Sequence, residues 1–214
     1  MATAERTDLA HLLATLTPEQ WQAQSLCERW RVRDVVAHVM SFDGVSLLGM
    51  VGRVIHGRVI DANQVWVDEL ASLSTEQLLD RLRARLRPQG LATTFGGRLA
   101  LLDVTIHHQD IRRPLGLLRE IPAERLRCVL SDSLHTPELP GWHLVRGIRL
   151  TTTDLDWSHG RGPELIGPAE AVLMAVSGRH SAIGELAGPG QQVLARRLAR
   201  RQRRTRDRAR SRPR

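Results

Sequence analysis

The sequence predicts a mainly α-helical protein: an antiparallel four-helix bundle, then a small α/β domain, then a disordered basic tail. Three observations carry this reading. Apolar residues recur every three or four positions through the first part of the chain, capping and stop signals divide that part into four segments, and β-branched alternation begins only after Gly116. Four helices in about 115 residues with short links describe an antiparallel bundle. The boundaries are expected at 1–117 for the bundle, 118–198 for the α/β domain and 199–214 for the tail.

The elements follow in order. Asp8 to Leu16 reads as a short amphipathic helix. Thr17-Pro-Glu-Gln20 follows it as a capping box, with threonine at the cap, proline in the first turn and glutamine closing the box. Arg33 to about His56 is a long helical candidate with Val35, Val36, Val39, Met40, Leu47, Leu48, Val51, Val54 and Ile55 at helical spacing, and Gly44, Gly49 and Gly52 allow close approach of a neighbour. Ser74-Thr-Glu-Gln77 starts a third helix, which Pro88-Gln-Gly90 ends. The fourth runs from about Gly97 to Arg113 and stops at Pro114 and Gly116. Beyond it, Pro122 to Leu134 reads as helix and Leu144 to Thr153 as strand. Asp154 to Gly162 reads as turn, Glu164 to Gly167 as a returning strand and Pro168 to Val176 as helix. A last helix from Gln191 frays once apolar residues run out after Leu198.

The formal net charge of +8 resembles a nucleic-acid signal, but it is local. Arg196 to Arg214 holds eleven arginines and one aspartate, which gives that segment +10 and leaves −2 for the rest. The body is an ordinary, slightly acidic globular chain, without stacking aromatics beyond Phe42, Phe95 and scattered tryptophans, so specific nucleic-acid reading is not expected. Cys27 and Cys128 form neither a disulfide framework nor a Cys-x-x-Cys pair, which fits a reducing, cytoplasmic compartment. Acidic residues precede any apolar run at the amino terminus, and no stretch approaches the roughly 20 apolar residues of a membrane span.

The segment Asp103-Val-Thr-Ile-His107-His-Gln-Asp110 concentrates the chemistry. Asp103, His107 and Asp110 share one helix face, and a carboxylate four residues before an imidazole can grip one cation with little strain. A catalytic zinc-type site needs three protein ligands and an open position. His38, in the apolar run Val35-Val-Ala-His-Val-Met40, is the candidate third ligand. A lone histidine on an apolar face is commonly a hydrogen-bonded core residue instead, and the residues alone leave both readings open. His108 points about 100° away from His107, exposed or behind the ligands, and Asp110 would orient an imidazole from outside the ligand set or cap a neighbouring helix. Cys27 could line the site or even ligate, but its residue type favours a small buried core role, and Trp30 reads as a bundle staple. Arg98 could meet a substrate carboxylate or lie solvated, and Asp154 and Asp156 read as turn residues that bond backbone. His56, His135, His143, His159 and His180 show no ligand spacing.

These residues resemble the mycothiol-dependent maleylpyruvate isomerase family of actinobacteria. The resemblance rests on Cys27-Glu-Arg-Trp30 followed by Val32-Arg-Asp-Val-Val-Ala-His38, and on Asp103-x-x-x-His107-x-x-Asp110-Ile111 with Leu115-Gly116. A carboxyl-terminal run adds Arg146-Gly-Ile-Arg-Leu150, Thr153-Asp-Leu-Asp-Trp157 and Gly167-Pro-Ala169. The resemblance implies a DinB-like bundle with His38, Asp103 and His107 as metal ligands, a divalent metal of the zinc type, and mycothiol as thiol cofactor. The family more often has glutamate at the position of Asp103, and aspartate is one methylene shorter.

The implied chemistry is a metal-bound thiolate that adds to a small electrophile. Reversible addition, rotation and elimination would be cis-trans isomerisation; addition alone would be thiol transfer. A non-catalytic metal-binding relative and a nucleic-acid-associated protein acting through its arginine tail are the competing classes. The residues leave the substrate, the metal and the oligomeric state open.

Overall fold

The computed structural model describes residues 1–40, 43, 64, 67–136 and 139–210. The chain divides into two compact units, Met1–Glu120 and Ile121–Arg214. It is mainly helical with one three-stranded sheet.

In the first unit, helix α1 spans Ala2–Leu13, α2 Pro18–Gln22, α3 Val32–Val39, α4 Thr75–Arg83 and α5 Thr94–Arg112. The capping boxes at Thr17 and Ser74 form as the residue types dictate: Gln20 and Gln77 each donate a backbone N–H to the cap hydroxyl and accept the cap N–H in return. Helix α1 starts six residues ahead of the expected Asp8, because Glu5 and Arg6 face inward and polar residues on a buried face hide the apolar period. Of the expected helix Arg33–His56 the described part is α3, and Gly44 to His56 lie outside the described residues. Gly116, at φ +68°, ends the segment after α5 in the left-handed region, with the Leu117 N–H returning to the Arg112 carbonyl at 3.0 Å.

Helices α1 and α3 each pack against both α4 and α5. Leu9, Leu13, Val35, Val36, Val39, Met40, Leu78, Leu82, Val104 and Ile111 fill the space between them. Within this apolar core lies a buried ion pair. Arg6 Nη1 donates to Asp43 Oδ2 at 2.7 Å and to the Arg85 carbonyl at 2.8 Å, while Asp43 Oδ1 accepts the Gln89 N–H. Burial makes such a pair costly unless its atoms are bonded; both Asp43 oxygens are, whereas Arg6 Nε has no partner among the described residues.

The second unit contains α6 Ala123–Ser133, the short α7 Gly141–Val145, strands β1 Arg149–Thr152, β2 Ser158–Gly160 and β3 Glu164–Gly167, then α8 Ala169–Val176 and α9 Pro189–Arg210. Strand order is β2-β1-β3, with β2 antiparallel and β3 parallel to β1. Three expectations are corrected. Leu144 and Val145 belong to α7, so the strand is confined to Arg149–Thr152; Gly141 lets α7 start hard against α6, since a Cβ there would lie 2.4 Å from the Ser133 carbonyl oxygen. The expected turn from Asp154 to Gly162 contains β2, closed by Gly160 at φ +82°. The expected disorder from residue 199 gives way to helix through Arg210, because arginine is itself a good helix former. Asp154 bonds backbone, as its place at a turn suggests: Oδ1 accepts the Ala169 N–H at 2.8 Å at the start of α8. No helix among the described residues is long and apolar enough to cross a membrane.

Candidate metal centre

Helix α5 delivers Asp103, His107 and Asp110 on one face, and α3 brings His38 to the same place. Both imidazoles aim Nε2 at one carboxylate oxygen, Asp103 Oδ1, at 3.6 Å from His38 and 3.5 Å from His107. The donor atoms of all three lie within 4.8 Å of one another. Ligands about 2.0–2.2 Å from a tetrahedral cation sit roughly 3.4 Å apart, so this spacing fits a zinc-type ion without rearrangement. His38 and His107 are 4 % and 8 % exposed, and Asp103 is half-buried.

The electrostatics agree with the geometry. Burial would raise the Asp103 carboxyl, but the charge and hydrogen bonds of His107 and the bond to His38 hold it well below the usual carboxylate range. Burial pushes His38 down, against the pull of Asp103. His107 is raised despite its burial, by the Asp103 charge and by hydrogen bonds to Asp103, Asp110 and Cys27.

Asp110, the last of the α5 set, is fully buried and its Oδ2 lies 2.9 Å from His107 Nδ1. That is the carboxylate–histidine arrangement that fixes ring orientation behind a metal ligand. The residues before α3 complete the surroundings. Cys27 donates its S–H to Asp110 Oδ2 at 3.2 Å and lies 3.7 Å from His107 Nδ1. Trp30 lies tilted at 34° against His38 with ring centroids 4.6 Å apart, and its indole N–H donates to Gln64 Oε1 at 3.2 Å. The loop that carries both is self-bonded: Ser25 Oγ donates to the Trp30 carbonyl at 2.6 Å, and the Leu26 N–H docks on the Asp110 carbonyl at 3.0 Å. Cys27 is half-buried, packs against the apolar core as its residue type suggests, and is bonded to Asp110 as well. Nothing in the sequence signals a bond between residues 83 positions apart.

His108 departs from expectation. It is fully buried and faces away from His38 and Asp103: Nδ1 meets Glu5 Oε1 at 2.8 Å and Nε2 accepts from Arg112 Nε at 2.9 Å. Arg119 also donates to Glu5 Oε1, and to Gln109 Oε1 at 3.0 Å. Burial lowers His108 to about 4, so it is neutral and donates from Nδ1. Burial would raise Glu5, yet its bonds to His108 and Arg119 hold it at about 2. Arg98 is exposed near the start of α5, about 140° around the helix from Asp103.

Residues 2–88 match the family described as the mycothiol maleylpyruvate isomerase N-terminal domain. The resemblance carried by Cys27 to His38 is thereby shown, and the match stops ahead of Asp103 and His107. Two solved structures share the fold. A variant of the mycothiol-dependent maleylpyruvate isomerase with one histidine replaced by alanine aligns with TM-score 0.57 at 16 % identity, over 88 % of this chain and 93 % of that one. The mycothiol-dependent maleylpyruvate isomerase itself aligns with TM-score 0.51 at 15 % identity over the same shares. No curated protein sequence matches the chain.

Proposed function

We propose that this protein is a metal-dependent, mycothiol-dependent enzyme that carries out cis-trans isomerisation or thiol transfer on a small electrophile. The observation that carries the reading is the convergence of His38, Asp103 and His107 from two helices on one point, with a carboxylate–histidine pair behind it. The four helices α1, α3, α4 and α5 are read as a DinB-like antiparallel bundle, and residues 1–117 as the metal-binding domain. The 118–198 domain and the basic segment 199–214 then supply no ligand. Free thiols at Cys27 and Cys128 suit a cytoplasmic setting.

His38, Asp103 and His107 would hold a divalent cation of the zinc type, which would supply Lewis acidity that lowers the pKa of a thiol. The chain's own residues do the rest. Asp110 holds the His107 ring with Nε2 toward Asp103, Cys27 fixes the Asp110 carboxylate, and Trp30 covers His38 and keeps water off that side. Asp103 does with a shorter side chain what glutamate does in most of the family that this chain resembles.

The test is titration calorimetry of the zinc-loaded protein with mycothiol in two buffers of different ionisation enthalpy. Binding with release of about one proton near neutral pH is expected. Asp103→Glu should preserve or strengthen it. A zinc-loaded protein that gives no heat with the thiol is a closed metal site, and the enzyme reading fails.

A further inference from the structure

We propose that the arginine-rich carboxyl-terminal helix is a sequence-independent binding surface for the phosphate backbone of duplex nucleic acid. The amino-terminal half of α9 is fastened within its own unit. Leu194 and Leu198 are buried, Gln191 donates to the Ile183 carbonyl at 3.0 Å, and Arg197 Nη1 donates to the carbonyls of Leu144 and Arg146 at 2.7 and 2.8 Å. After Leu198 the helix continues to Arg210, and the only apolar residues left are Ala199 and Ala209. By sequence this half offers no large apolar side chain, yet it carries Arg200, Arg201, Arg203, Arg204, Arg206, Arg208 and Arg210 against a single acid, Asp207.

Charge density selects the partner. Twelve helical residues span about 18 Å, so those arginines place one cation every 2.6 Å or so along the axis. Duplex nucleic acid presents one phosphate every 1.7 Å or so. An acidic peptide has no comparable density, and a membrane-surface helix needs the apolar face that this one lacks. The helix also repels itself: Arg196 and Arg200, Arg197 and Arg201, Arg200 and Arg204, Arg204 and Arg208, and Arg206 and Arg210 stand four apart, where like charges oppose helix formation. A polyanion removes that opposition, so binding and helix content rise together. The inference is independent of the metal centre.

The test uses the full-length protein and a fluorescein-labelled random-sequence duplex, read by anisotropy against potassium chloride. About six phosphate contacts give a slope of log K on log salt near −5, and far-UV circular dichroism gains helix on binding. A full-length variant with Arg200, Arg201, Arg203, Arg204, Arg206 and Arg208 all changed to glutamine keeps helix propensity. It should lose at least thirtyfold in affinity and most of the salt slope, with metal content unchanged. Equal binding by the variant, a wild-type slope shallower than about −2, or tighter binding to phosphatidylglycerol vesicles than to duplex at equal phosphate would each overturn the proposal.

Discussion

Glu5→Gln isolates the buried network of α1 and α5 and carries a pH signature. The side chain is fully buried, and Oε1 accepts from His108 at 2.8 Å and from Arg119. Glutamine keeps the shape and removes the charge. The carboxyl stands at about 2 in the folded protein against 4.5 ordinarily, and at about 1.4 kcal/mol per unit the ionised form is favoured by about 3 kcal/mol. Breaking one half of a buried, bonded pair costs a similar amount, about 3–5 kcal/mol. The sign follows from a depressed carboxylate: its contribution is complete above about 4.5 and is lost as pH falls toward 2. His108 adds an earlier window. Its folded value of about 4 lies below the ordinary 6.5, so the unfolded chain takes up its proton first and stability declines as pH drops from 6.5 toward 4. Urea unfolding of chelator-treated protein from pH 7 to pH 3 reads both windows. The variant should be about 3 kcal/mol less stable at pH 7, with the gap narrowing to about half of that by pH 3 while the decline above pH 4 persists. A gap under about 1 kcal/mol at pH 7, or one that does not change with pH, would refute the reasoning.

Further expectations follow from neighbouring contacts. Cys27→Ala removes the S–H that holds Asp110 behind His107 and should release zinc to a chromogenic chelator roughly tenfold faster, while Cys27→Ser stays within about threefold of wild type; identical rates for all three would remove Cys27 from the centre. Trp30 lies against His38, so cobalt loading should quench its emission, and the loss of quenching in Trp30→Phe identifies the ring responsible. Asp154→Ala deletes the acceptor for the first N–H of α8 and should cost about 1 kcal/mol in thermal unfolding, with zinc content unchanged.

The clustering of the candidate ligands was legible because helical spacing alone places Asp103, His107 and Asp110 on one face, and His38 stands out as a titratable group in the apolar run of α3. The capping boxes at Thr17 and Ser74 were legible for the same local reason. What stayed hidden depends on contacts distant in sequence. The inward place of Glu5 and Arg6 in α1 was not legible because their partners, His108, Arg119 and Asp43, lie 37 to 114 positions away. For the same reason the bond of Cys27 to Asp110 could not be read from spacing. The split of Leu144–Thr153 into a helical turn and a strand was hidden because β-branched alternation says nothing of where a neighbouring helix presses in.

Metal content is the direct measure of the central claim. Wild type, His38→Ala and His107→Ala, each equilibrated with zinc and freed of loose metal, are compared by elemental analysis alongside thermal unfolding. Wild type should hold about one zinc per chain and each folded variant close to none, because losing one of three ligands weakens binding by orders of magnitude. Equal zinc in wild type and either variant would contradict the assignment of His38, Asp103 and His107 as a metal centre.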